Sequence, residues 1–258
     1  MIRALWSAAS GMGAQQLKVD VTANNISNVN TPGFKASRVE FQDVFYTFLR
    51  PPDDPDLLLQ VGHGAMPAAT VRQLTQGILE QTGDQLHLSI EGSGFFQIQN
   101  DDTGAMQYTR DGTFRLDADG RIVTADGRPL LTSSGVVTVP DNAVEVQIAS
   151  DGRITAYLAD DAPRDLGRLQ LAIFPNATGL QALGHNAYVA TAASGPAVIH
   201  WPGTAGTGQV RQGFVERSNV ELIEEMVGLM TAQRAYELNS KVVHAADEMM
   251  GLANNLRR

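Results

Sequence analysis

The sequence predicts an α+β fold in which N- and C-terminal helices form a coiled coil and the central domain is antiparallel and all-β. Three observations carry this. Apolar residues at both ends recur by threes and fours, short β-prone runs fill the chain from about 85 to 200, and Asp-Gly turn signals separate those runs.

The first helix follows from Ile2, Leu5, Ala9, Met12, Val19 and Ile26, a heptad seam interrupted only at Gln16. It runs into "ANNISNVNTPGFK", residues 23 to 35. Asn24 and Asn25 are expected to end the helix, because asparagine tolerates left-handed geometry. Asn28 and Asn30 are expected to bond their own backbone in turns. Thr31-Pro32-Gly33-Phe34 then fits a type II turn, with Gly33 supplying the positive φ, and should deliver Phe34 and Lys35 to a place beside the long helices. Residues 1–49 are thus read as helix plus corner. Residues 50–77 contain four prolines and are read as an extended connector.

The central domain is placed at 78–212. Its runs include "HLSIEG", "GFFQIQN", "RIVTA", "GVVTVP", "AVEVQIA", "RITAYLA", "RLQLAIF" and "NAYVATA". Asp-Gly at 111–112, 119–120, 126–127 and 151–152 marks tight turns between them. Residues 213–258 form the C-terminal helix. Ser218 as N-cap and Glu221 three residues on make a capping box. Val220, Ile223, Val227, Met230, Leu238, Val242, Met249 and Leu252 form its seam, with a second row that includes Leu222, Met226, Leu229, Tyr236, Val243 and Met250. Some 38 residues give a rod of roughly 57 Å, longer than one partner helix of about 25 residues can cover.

Charge and composition remove whole classes of function. With 28 acidic against 19 basic side chains and a net charge of −9, the chain repels phosphate backbones, so no nucleic-acid partner is expected. No stretch is long and apolar enough for membrane insertion. No cysteine is present, which excludes disulfides, thiolate metal sites and cysteine nucleophiles. The start lacks the apolar core of a cleavable signal peptide. His63, His87, His185, His200 and His244 are scattered, without metal-pair spacing. Asp117 and Asp119 before Gly120 mimic half an EF-hand loop, but Arg121 stands where an oxygen ligand is needed, so a hairpin turn is expected. The run Gly203 to Gly208 has P-loop spacing but ends in Gln209 in place of lysine, and "EGSGFF" lacks nucleophile-elbow spacing. No catalytic residue, cofactor or metal is therefore predicted, and the chain is not read as an enzyme.

The heptad helix running into "ANNISNVNTPGFK", the β domain and the helix containing "SNVELIEEMVGLMTAQRAYELNSKVV" together resemble the bacterial flagellar axial family of rod, hook and hook-associated proteins. The single β domain and its connector are most similar to the distal rod members. The proximal rod member with a β domain is the alternative, and a secreted binding module with coiled-coil ends is another. The resemblance implies a self-assembling structural subunit of a hollow helical drive shaft that carries torque to the hook. It implies as partners other copies of the chain, neighbouring proximal rod and hook proteins, surrounding basal-body rings and the flagellar type III export apparatus. It places the protein in the basal-body rod crossing the periplasm, exported without signal cleavage. Phe41 and Phe45 in "FQDVF" match the hydrophobic motif that the export gate reads in such proteins. Aromatic residues four apart would also pack one turn of a helix.

Overall fold

The computed structural model describes residues 2–49, 59–101, 103–158 and 163–255. The chain divides into two units. One holds the described parts of 1–27, 37–73 and 220–258, and the other holds 28–36 and 74–219.

The first unit contains helix α1 (Ile2–Ser27), helix α2 (Leu222–Asn255) and a long antiparallel ribbon. In the ribbon, Ser37–Asp43 pairs with Ala65–Arg72, and Tyr46–Leu49 pairs with Leu59–Gly62. The expected extended connector is thus largely paired strand from 59 to 72. The residues between, 50–58, lie outside the described part. Pro67 is tolerated because the register shifts beside it, between Glu40 and Phe41, and a bulge is where a strand can do without a ladder donor.

The second unit is the predicted β domain, and its sheets are antiparallel. Six strands lie in the order Gln181–Gly184, Ala187–Val189, Met106–Thr109, Phe95–Gln99, Leu171–Ile173, Val198–His200. Ala143–Ile148, Arg153–Leu158 and Arg164–Arg168 form a three-stranded sheet. The alternation of a strand's two faces builds two cores. Phe96 and Ile98 join Leu88, Ile90, Leu169 and Leu171 in one, while Phe95 joins Tyr108, Phe174 and Tyr188 in the other. Tyr108 and Phe174 meet edge to face with ring centroids 4.8 Å apart.

Asp-Gly forms turns at 119–120, 126–127 and 151–152, so the Asp117–Arg121 stretch is a hairpin end, with Arg121 donating to Asp117 at 2.8 Å. Gly112 makes no such turn. The two glycine-rich motifs pack on each other: the Gly208 amide donates to the Ser93 carbonyl at 2.7 Å, and a Cβ on Gly208 would stand 2.4 Å from the Glu91 carbonyl oxygen. Their glycines serve close backbone approach.

Candidate assembly site

α1 and α2 pack against each other. Two contacts fix their register. Asn25 Nδ2 donates to Glu225 Oε1 at 2.9 Å, and a Cβ on Gly11 would lie 2.9 Å from Asn239 Nδ2. The partners run in opposite directions, so the helices are antiparallel, and the contacts are two heptads apart on each. The fully buried positions agree: Ala8, Ala14, Thr22 and Asn25 on α1, Ala232 and Ala246 on α2. Glu225, Ala232, Asn239 and Ala246 recur every seven residues, as a helix–helix seam requires.

This seam differs from the expected one. The α2 row drawn through Ile223, Val227, Met230, Leu238, Val242, Met249 and Leu252 departs from it: Ile223, Val227 and Met230 stand two residues from Glu225 or Ala232, about 200° round the helix, while Leu238 stands one residue before Asn239, and Val242 and Met249 three residues after Asn239 and Ala246. Those side chains are exposed, Ile223 by 78%. Tyr236, from the second row, is exposed as well. On α1 the expected row is one residue off: Leu5, Met12, Val19 and Ile26 are half-buried and Ala9 is exposed, while the side chain of Ile2 lies outside the described residues. Small side chains govern the seam because they let two helix axes approach closely. Val220, the first residue of the expected α2 row, is buried but precedes the helix.

The start of α2 also moves. Its first backbone bond runs from the Glu225 amide to the Glu221 carbonyl at 3.0 Å, so the N-cap position falls on Glu221 and Ser218 precedes it by three residues. Glu224 and Glu225 occupy the first turn, where the helix dipole favours negative charge.

The asparagine corner is shared out. α1 passes through Asn24 and Asn25 without left-handed geometry and ends at Ser27. Asn25, 1% exposed, bonds both backbone groups of Ser37, donating to its carbonyl at 2.8 Å and accepting from its amide at 2.9 Å. One side chain thereby ties α1, α2 and the ribbon of the first unit together. Residues 28–36 belong to the β unit. Asn28 accepts from the Thr31 hydroxyl at 3.1 Å, and Asn30 accepts from Arg217 at 3.4 Å. The type II turn is present: the Phe34 amide donates to the Thr31 carbonyl at 3.3 Å, and Gly33 has φ +67°. Asn186 donates to the Pro32 carbonyl and the Gly33 amide to the Glu216 carbonyl, both at 2.8 Å. A Cβ on Gly33 would stand 2.5 Å from the Asp111 amide nitrogen, so the turn can dock here only as glycine.

Docking ends in a buried ion cluster. Lys35 Nζ donates to Glu216 Oε1 at 2.5 Å and to the Thr75 carbonyl at 2.7 Å. Arg110 donates to Glu216 Oε2 at 3.2 Å and to the Gly92 carbonyl at 2.8 Å, and the Gly77 amide donates to Glu216 Oε1 at 2.9 Å. Lys35 and Glu216 are each 1% exposed and Arg110 6%. Burial holds the Lys35 ammonium and the Arg110 guanidinium below their ordinary values, with the Glu216 charge opposing it. The corner motif marks Lys35, but nothing local marks its partners, which lie 181 and 75 residues further along.

The ribbon carries Phe41 and Phe45. Phe45 is 87% exposed; Phe41 lies in the strand Ser37–Asp43 and Phe45 between it and the strand Tyr46–Leu49, so they do not pack a helical turn. Tyr46 and Phe48 are exposed as well. Among the described residues no three histidine, aspartate or glutamate side chains are grouped to hold a metal, and no helix is long and apolar enough to cross a membrane.

Packed helices, an exposed apolar row and a corner bonded to backbone define a structural protein. Residues 5–35 match the flagella basal body rod protein family, 89–156 the flagellar hook protein FlgE/F/G D1 domain, and 211–256 the flagellar basal body rod FlgEFG protein C-terminal family. The flagellar basal-body rod protein FlgG of Borreliella burgdorferi is 42% identical over 268 residues, covering 100% of both chains. The FlgG proteins of Caulobacter vibrioides (41%, 99% of this chain and 100% of the relative) and Bacillus subtilis (36%, 100% of both) are similar throughout. The chain belongs to this flagellar basal-body rod family, and it is a structural rod subunit, not an enzyme.

Proposed function

We propose that the chain is a distal rod subunit whose α1 and α2 act as a coiled coil and assemble with those of other copies into a hollow helical drive shaft. The observation that carries this is the exposed row from Ile223 to Leu252. A large exposed apolar stripe is a surface awaiting burial. In the shaft that row packs between subunits, transmitting torque to the hook while the bore passes export substrates. The chain's partners are then further copies, proximal rod and hook proteins, surrounding basal-body rings and the flagellar type III export apparatus. Its place is the rod across the periplasm, reached without signal cleavage, with Phe41 and Phe45 as the gate-read motif.

The ribbon, with exposed Phe45, Tyr46 and Phe48, is a second contact arm between neighbours in this reading. Electron microscopy of concentrated protein tests the proposal. Tubes in which α2 rows from adjacent subunits meet are the expected result; closed trimers would favour a coiled-coil binding module instead.

A further inference from the structure

A cavity of about 160 Å³ lies within the β unit beside the buried ion cluster. Its lining combines the cations Lys35 and Arg110 with the apolar side chains Leu74, Phe95, Phe174 and Ala177, and the Arg110 guanidinium lies over the Phe95 ring, 5.3 Å from its centroid. No carboxylate is among its lining residues. The cluster itself sets two cations against one carboxylate, Glu216, whose two oxygens are already taken by Lys35, Gly77 and Arg110. Donors are left over. Arg110 Nε is buried and has no hydrogen-bond partner among the described residues, and the Lys35 ammonium, with three donors, is bonded to two acceptors. A buried donor without an acceptor and a buried charge without a counter-charge are both costly, and one small anion would relieve both.

We propose that this cavity binds a small monocarboxylate, its carboxylate against Lys35 and Arg110 and its short apolar body against Leu74, Phe95, Phe174 and Ala177. The volume matches a ligand of a few heavy atoms, since a cavity of about 150 Å³ accommodates a benzene ring. The apolar wall selects against a dicarboxylate, whose second charge would meet no partner there. A halide would leave that wall uncovered.

The test uses the full chain and sodium propionate, with sodium chloride and sodium succinate at matched ionic strength. Propionate is expected to give a saturable rise in the Tm of the β unit, about 2–4 °C at high occupancy, while chloride and succinate give none. Ala177→Leu, which fills the cavity from its apolar side, is expected to remove the response. Saturation transfer from aromatic protons to the propionate methyl in the wild-type chain is expected whatever the variant does. An equal rise with chloride, an undiminished response in Ala177→Leu, or no saturation transfer would overturn the proposal.

Discussion

The β unit buries large apolar side chains in two cores, and the helical unit displays many of its own. In the first, Phe96, Ile98, Leu88, Ile90, Leu169 and Leu171 are buried within one chain. In the second, the helices meet over alanine, glycine and asparagine, while Ile223, Met226, Val227, Met230, Leu238 and Leu252 face outward. A unit that buries its aromatic residues internally draws its hydrophobic stabilisation from its own core, whereas one that leaves large side chains exposed would, in the proposed rod, gain more of it on assembly.

The contrast can be broken most directly by truncation in each unit. Phe96→Ala should cost about 3–5 kcal/mol in denaturant unfolding of the monomer, as a cavity in a close-packed core does. Ile223→Ser should change monomer stability by no more than about 0.5 kcal/mol, as at other exposed positions, while abolishing rod assembly. Comparable monomer losses would erase the distinction. Glu216→Gln should cost the β unit about 3 kcal/mol, because it leaves two buried cations without their counter-charge. Unfolding monitored in the β unit checks this, and a loss confined to the helices would contradict the docking described for residues 28–36.

Ala232→Leu adds bulk where the helices are closest and should cost about 1–3 kcal/mol, read from helix melting by circular dichroism. A neutral result would mean that the seam is looser than its small residues imply. The smallest effect concerns pH. Burial, the largest cause, lowers the Lys35 pKa below 10.5, so between the lowered value and 10.5 the unfolded chain holds one more proton than the folded one. Stability of the β unit should therefore rise with pH through that window, and Lys35→Met should flatten the slope. A slope unchanged in the variant would assign the dependence to another group.

Periodicity made the two helices legible, and Pro32-Gly33 made the turn at 31–34 legible, because both signals are local. Which face of a helix meets its own partner was not legible. Hydrophobicity ranks Ile223 and Val227 above Ala232 and Asn239, yet close packing within one chain selects the small residues. The second half of the ribbon, 59–72, was read as a connector because prolines obscure the strand pattern, its first half was read as part of the helix and corner, and the pairing of Phe41 with Pro67 across a bulge is not a local property. Short strands such as Met106–Thr109 and Arg164–Arg168 are held by neighbours more than by their own propensity. The Lys35–Glu216–Arg110 cluster joins residues far apart in the chain, so no spacing announces it.

Coverage of the exposed α2 row by other subunits in the proposed rod can be measured chemically, because the chain contains no cysteine. Val227→Cys and, as a buried control, Ala232→Cys would each be exposed to a maleimide in monomer and in assembled rods. Residue 227 should label rapidly in the monomer and be strongly protected in rods, and residue 232 should be protected in both. Equal labelling of residue 227 in monomer and rod would contradict that coverage.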